Sequence, residues 1–423
     1  LNIWLINHNA NPPSAPGDAR HYSHARELMR RGHDVRIVSC SFLHLNGSFA
    51  AVPQGHVWQN TVCEGVPFTW IAARGYQGNS LDRVRNMFEF AWRVWRRDWA
   101  TGLQAPDLVV GSTPHPFAAL AAQRLAAHYR VPFVLEVRDV WPFALTEIGG
   151  HSARHPFVLL VDCTMRFLYR KAVRIVMFSR DSAHLLTNAG ARTEKIAWIP
   201  HGVDLTMHPA PPSAPDDGVF TVAYLGAHNQ WNSLDAVLDA AKILLQAHGG
   251  RIRFRFVGHG ASKAALIDRA RTEQITNVQF DDPVPKAQVG EVLRQADAFI
   301  LNNRKDAVSR NWMSFNKLYE YLAAGRPVVF GSFSASDPVR ESGAGISVPA
   351  DSPSELAAAV AYLAQLPSAQ LAGYGRRGRE HIEQNYSIVR LVDVFEGMAF
   401  EVTGLQRPLD AMADVQPTLE QRA

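Results

Sequence analysis

The chain has 423 residues, 47% hydrophobic and 19% charged, with 43 Lys and Arg against 39 Asp and Glu. That length is enough for two or three domains with ample cores, and the composition excludes a disordered or fibrous chain. A net charge of +4 is too small for a dedicated nucleic-acid binder, whose basic excess would be larger and gathered on one face. Three scattered cysteines (Cys40, Cys63, Cys163) exclude a disulfide scaffold or a zinc ribbon and fit a reducing compartment. The apolar start at 1–6 is too short for a signal peptide, and no run approaches the ~18 apolar residues of a membrane span. The expectation is a soluble, cytoplasmic protein.

Buried-strand patterns fall at 2–7, 34–39, 66–72, 107–111, 132–137, 174–178 and 196–199. Helical periodicity lies between them at 20–31, 81–99, 117–128, 156–170 and 180–189, the first capped by Asp18 and stopped by Gly32. The Pro-rich, polar run at 209–218 reads as a linker. The alternation then restarts, with strands at 219–225, 252–257, 278–280, 298–301, 327–330 and 345–348. Helices are expected at 233–247, 263–272, 286–295, 315–324, 353–366, 370–385 and 388–402. The fold class is therefore α/β, with two doubly wound, Rossmann-like domains at 1–208 and 209–385. A C-terminal helix within 386–402 packs back towards the first domain, and 403–423 is a poorly ordered tail. Two such sheets facing across a cleft would hold a ligand at the carboxyl ends of their strands.

Two stretches of the second half carry chemistry. Val257-Gly258-His259-Gly260 ends a strand and opens a helix, so its glycines and the free N–H groups behind them suit a diphosphate. The same residues equally describe a tight strand-to-helix turn. Lys263, in the next helical turn, either adds a positive charge to that anion or is solvated. After the strand at 298–301 comes a basic loop with Arg304, then a helix opening on Asn316 and Lys317. Glu320 lies among that helix's core positions and is either paired structurally or accepts hydrogen bonds from a diol such as ribose. Asn316 and Lys317 place donors where a phosphate would sit.

The run NKLYEYLAAGRPVV at 316–329 resembles the donor-site signature of bacterial family-4 glycosyltransferases, in particular the branch that builds O-antigen and colanic acid. In matching order stand GDARHYSHARELMRRGHDVRIVS, LEVRDVWPFALTEIG, KIAWIPHGVDL, VAYLGAHNQWNSLDAVLDAAKIL and VGHG, so the likeness spans about residues 2–400. The resemblance implies a GT-B fold and transfer of a sugar, with retention at the anomeric carbon, from a nucleotide donor, UDP first. The acceptor would be a glycan, free or on a polyprenyl diphosphate. By the same resemblance, Glu320 holds the ribose hydroxyls, Asn316 and Lys317 meet the diphosphate, and Gly258 and Gly260 flank the nucleotide. Val284, in the loop 283–285, reads the base, and Gly226 lies nearest the transferred phosphate. The chain departs from the family where a second acid usually stands (Trp312) and where an Arg and a Lys follow the second domain's first strand (Ala227 and Asn232). Phosphate charge then falls to Lys317, Lys263, Arg304 or helix dipoles.

In the first half, Asp139 follows an apolar strand and either orients or deprotonates the acceptor hydroxyl, steadies charge on the sugar ring, or caps the next turn. Arg138 stands where many relatives carry a histidine that contacts the donor sugar, or pairs with phosphate. His115 follows another strand and reads either as an acceptor-side group or as a solvated loop histidine. Asp18 and Trp141 complete the acceptor side. No DxD pair occurs, so no metal and no further cofactor is expected, the nucleotide sugar being a co-substrate. The helix at 81–99 interleaves Trp92, Trp95 and Trp99 with arginines, which suits an anionic membrane surface on the cytoplasmic side or simply a helix packed on its own sheet. Two other readings are a sugar-nucleotide 2-epimerase on the same double sheet and a GT-B binding protein without activity.

Overall fold

The structure is a computed structural model that describes residues 1–15, 19–43, 47–50, 52–78, 80–207, 218–284, 286–311 and 315–406. The chain divides into two compact units, Leu1–Pro200 with the segment from Ile388 onward, and His201–Ser387. Asp18, Trp312 and the linker at 209–217 lie outside the described residues.

In the first unit the chain runs β1 (Asn2–Ile6), α1 (Arg20–Arg30), β2 (Asp34–Cys40), a short hairpin of β3 (Phe42–Leu43) and β4 (Ser48–Phe49), then β5 (Trp58–Cys63) and β6 (Val66–Ile71). It continues with α2 (Leu81–Arg96), β7 (Leu108–Ser112), α3 (Pro116–Tyr129), β8 (Phe133–Val137), α4 (Pro156–Lys171), β9 (Arg174–Met177), α5 (Ala183–Asn188) and β10 (Ile196–Trp198). Eight strands form one sheet in the order β10-β9-β8-β7-β1-β2-β6-β5, parallel except for β5. The central strands are buried along their whole length and mostly apolar, as parallel strands covered on both faces are. β5 is different. It is a half-exposed edge strand, WQNTVC, with no buried run to announce it. A two-residue turn at Glu64 and Gly65, both with positive φ (48° and 87°), folds it back on β6, as tight hairpins require.

The second unit contains β11 (Phe220–Leu225), α6 (Leu234–His248), β12 (Ile252–Val257), α7 (Lys263–Thr272), β13 (Val278–Asp281), α8 (Lys286–Arg294), β14 (Ala298–Asn302) and α9 (Ala307–Asn311). After these come α10 (Asn316–Ala323), β15 (Val328–Ser332), α11 (Pro338–Ser342), β16 (Gly345–Pro349), α12 (Pro353–Ala364) and α13 (Ser368–Asn385). Its six strands are all parallel, in the order β13-β12-β11-β14-β15-β16. The order reverses between β11 and β14, where a doubly wound sheet opens a crevice beyond its strand ends.

The last helix, α14 (Ile388–Thr403), belongs to the first unit. Ile388, Leu391, Val392, Phe395, Met398 and Ala399 join the core cluster of Ile3, Leu5, Ala25 and Leu28. Each of the larger side chains so buried contributes about 1.5–3 kcal/mol. Polar contacts fix the seating: His33 Nε2 lies 2.7 Å from Glu396 Oε1, and Arg31 Nη1 is 2.6 Å from Asp393 and 3.2 Å from Glu396.

On α2, the face that packs inward is Asn86, Met87, Phe90 and Val94. The stripe of Leu81, Phe88, Trp92 and Trp95 faces solvent, so it is not the sheet-packing face of the helix. Trp99 does not belong to that stripe: the helix ends at Arg97 in the left-handed conformation, and Trp99 is buried against Trp4. Nor are the helix's arginines all free. Arg85 pairs with Asp82 (3.0 Å), Arg93 with Glu89 (2.6 Å) and Arg96 with Asp98 (3.1 Å). Among the described residues no helix is long and apolar enough to cross a membrane.

Candidate active site

The second unit assembles its candidate site from three loops at the carboxyl ends of its strands. Past β11 and β12 the backbone pairing continues: Gly226 N donates to Val257 O (2.9 Å), His228 N to His259 O (2.9 Å) and Gly258 N to Asp281 O (3.2 Å). Gly226, Gly258 and Gly260 have φ of +152°, +145° and +157°. A β-carbon at Gly258 would overlap the Gly226 carbonyl, one at Gly260 the His228 carbonyl, and one at Gly226 the Lys317 side chain. The glycines therefore serve first to let two loops and one lysine stem touch, and the tight-turn reading holds at their side-chain positions.

Lys317 is half-buried in the first turn of α10. Its Nζ donates to Asn232 Oδ1 (3.0 Å) and lies 5.5 Å from the Tyr224 ring centroid. Burial lowers its pKa to about 8, against the opposing pull of Glu320 one turn along. Tyr321 exchanges hydrogen bonds with the backbone of Leu225 (2.7 and 3.0 Å) and so fixes α10 on β11. Glu320, next to it, and Asn316 are half-buried at the same helix end. Arg304 is exposed, 3.9 Å from Asp306, on a loop held to Trp231 O through its own N–H. Val284 is half-buried just beyond β13.

Lys263 is not a spare cation. Its Nζ donates to Asp281 O (2.8 Å) and to Asp282 Oδ1 (3.0 Å), tying down the loop after β13. The sequence reading passed over His228. Its ring is fully buried near Tyr224, Phe256 and Phe280, and neither nitrogen has a hydrogen-bond partner among the described residues. Burial, then the charges of Lys263, His259 and Lys317, push its pKa down to about 4, so it is neutral. Its place directly after Gly226-Ala227 was the available signal.

In the first unit Thr113, just past β7, organises the turn after β8. Its hydroxyl accepts from Arg138 N (3.2 Å) and donates to Asp139 O (3.4 Å), and its carbonyl accepts from Trp141 Nε1 (3.2 Å). Trp141 packs against Met87, Phe117 and Val161. Asp139 is half-buried, and burial pushes its pKa up to about 6 despite Arg138 and Arg83. A carboxylate poised there exchanges a proton near neutral pH. The Arg138 guanidinium lies 5.8 Å from the Phe178 ring.

His115 is not a solvated loop histidine. It is buried, its Nδ1 caps α3 by accepting from Ala118 N (3.3 Å), and its ring meets His8 edge-on at 4.6 Å. Burial, with His8 and Arg83 nearby, holds it well below its ordinary pKa. Glu136, which nothing in the sequence isolates, is the centre of a buried network: His21 Nε2 at 2.8 Å, Arg20 Nε at 3.5 Å and Ser112 Oγ at 2.8 Å. Arg20 also donates to the carbonyls of Ile199 and Pro200, the last residues of this stretch of the unit. Against the cost of burial, the neighbouring His21, Arg20 and Arg138 hold the Glu136 carboxyl well below its usual range.

Family models match both halves of the chain: "Glycosyl transferase 4-like domain" over residues 19–202 and "Glycosyl transferases group 1" over 219–365. The chain is 28% identical over 227 residues to WcaL of Escherichia coli (strain K12), assigned to colanic acid biosynthesis as a glycosyltransferase. That match covers 52% of this chain and 54% of WcaL, so the chain spans about half the length of that relative. Among solved structures, sucrose-phosphate synthase from Thermosynechococcus elongatus superposes with a TM-score of 0.70 at 14% identity, covering 95% of this chain and 99% of that one. Anabaena Alr3699/HepE in complex with UDP and glucose gives 0.64 at 14% identity, covering 94% and 98%. These likenesses establish the fold, which is GT-B. With both of its halves matched by glycosyltransferase models, the chain belongs to the family-4-like, GT-B glycosyltransferases.

Proposed function

We propose that this protein transfers a sugar from a nucleotide diphosphate, UDP first, to a glycan acceptor carried on a polyprenyl diphosphate, in the building of a cell-surface polysaccharide. The observation that carries the reading is one helix end: α10 places Lys317 and Glu320 one turn apart, beside the glycine stack of β11 and β12. In this reading Glu320 accepts from the two ribose hydroxyls, while Lys317 and the N–H groups opening α10 meet the diphosphate. Charge leaving with the diphosphate is met by these groups, so the reaction calls on no divalent cation. Retention at the anomeric carbon rests on family membership. Asp139, poised near neutrality, is assigned to the acceptor hydroxyl. The exposed Trp92 and Trp95 of α2 (54% and 45% exposed) support a membrane-borne acceptor.

Calorimetry with UDP tests the donor half. Glu320→Ala is expected to weaken binding about 10- to 100-fold, since each hydrogen bond to a charged group is worth about 1.5–3 kcal/mol. Unchanged affinity would remove the ribose assignment. Turnover of UDP-sugars with a total lipid extract, kept in the presence of a chelator, tests the acceptor and the metal-free chemistry together.

A further inference from the structure

Two cations of the second unit lie outside the nucleotide cradle. Lys305 follows β14 by three residues, and Arg310 lies on α9. Both charged groups stand over one ring, that of Phe333 just past β15, at 5.8 and 5.7 Å from its centroid. With Asp306 and Asn311 they line a pocket of about 520 Å³. Neither cation is in an ion pair among the described residues. Among the described residues lining the pocket the one carboxylate is already engaged: Asp306 accepts from Ser309 N (2.8 Å) and lies 3.9 Å from Arg304. The base of the loop is pinned, with Lys305 N donating to Asp351 Oδ2 (2.8 Å).

The order of strands locates this pocket along the proposed donor. From one side of the sheet come Val284 after β13, Gly258 and Gly260 after β12, Gly226 after β11, then the pocket after β14 and β15. Neighbouring strands are about 4.8 Å apart, so the loops after β14 and β15 begin about one and two strand spacings from the end of β11, on the side away from β12 and β13, which in the donor reading is the side of the sugar. Hydroxyls of a neutral hexose both donate and accept and call for no net charge. This pocket adds two cations to the acceptors of Asp306 and Asn311, and Asp306 is already engaged.

We infer that the donor sugar carries a carboxylate, that is, that the substrate class is a nucleotide hexuronate, held by Lys305 and Arg310 with one face of the ring against Phe333. Arg310 suits the carboxylate's two oxygens with a planar fork, and Lys305 adds a point charge. The inference rests on the donor reading above, and the two fail in different ways.

Calorimetry on the purified chain with UDP, UDP-glucose, UDP-galactose, UDP-glucuronate and UDP-galacturonate decides it. The wild type is expected to bind one uronate about tenfold or more tighter than its neutral counterpart. The double variant Lys305→Ala/Arg310→Ala is expected to lose that preference while holding UDP within about twofold, both side chains being exposed. Equal affinity of the wild type for uronates and neutral sugars overturns the inference and leaves the donor reading intact. A double variant with unchanged melting temperature that loses UDP itself also overturns it, because the cations then serve the diphosphate. Failure of the wild type to bind UDP overturns the donor reading, and this inference with it.

Discussion

The Lys317 ammonium donates to the Asn232 amide oxygen across 3.0 Å. That oxygen faces it because the same amide's nitrogen is spent on Ala227 O and Asn229 Oδ1, at 2.8 and 2.7 Å. Asn232 stands near the place where many relatives carry a lysine. Here it is neutral and aims a cation supplied from α10, whose stem fills the space that glycine leaves at position 226.

This arrangement has a pH signature with two opposite signs. Burial lowers the Lys317 pKa to about 8, below its usual 10.5. Charge is therefore lost as pH rises through 8, and UDP affinity is expected to fall from pH 7 to 9. The unfolded chain keeps that proton until about 10.5, so between 8 and 10.5 it binds more protons than the native state and stability rises with pH. Calorimetry and thermal melts over pH 7–10 read both slopes, and Lys317→Met should flatten both. A variant that keeps the wild-type pH dependence of UDP binding would rule Lys317 out as the phosphate's partner.

Much of the frame was legible because the central strands are largely apolar runs, as parallel sheets covered on both faces demand. β5 was not, since a half-exposed edge strand lacks such a run, although Glu64-Gly65 marked its turn. Lys317 and Glu320 could be picked out from their position on a helix end. The Asn232–Lys317 contact joins residues 85 apart in sequence, and the Glu136 network draws on β7, β8 and α1, so no local pattern reveals either. His115 misled for a related reason: a histidine between two prolines resembles a loop residue until its cap on Ala118 N is seen. On α2 the sequence showed an apolar stripe but not which side of the helix the sheet would take.

Asp139 carries a second pH signature. With its carboxyl raised to about 6 from a usual 3.8, the native state binds more protons than the unfolded chain between those values. Stability is thus lost as pH rises from about 4 to 6, and the ionised form at pH 7 is held at a cost. Asp139→Asn removes that cost, so its melting temperature at pH 7 is expected to equal or exceed the wild type's. Turnover should nonetheless fall about 100-fold or more, the usual reach of a positioned acid or base, and the rising limb near pH 6 should vanish from kcat/KM. Full turnover with the limb retained would reject the assignment.

Glu396 ties α14 to the first unit by accepting from two cationic or polar partners at once, His33 Nε2 at 2.7 Å and Arg31 Nη1 at 3.2 Å, with its side chain only 3% exposed. Removing the carboxylate leaves His33 Nε2 without its acceptor, while Arg31 keeps Asp393 at 2.6 Å and Glu27 at 2.8 Å; breaking a buried pair costs about 3–5 kcal/mol, and the Arg31 partners that remain put this case at the low end. Glu396→Ala is therefore expected to lower stability by about 3 kcal/mol and to speed amide exchange along α14. The side chain's apolar neighbours Phe395 and Ala399 remain buried in the variant, so the hydrophobic seam alone is left to hold the helix. Glu396→Gln, which keeps an acceptor for both partners, should cost markedly less. If the alanine and glutamine variants lose stability equally, the charge rather than the hydrogen bonds holds α14, and if neither loses more than about 0.5 kcal/mol the seam suffices by itself.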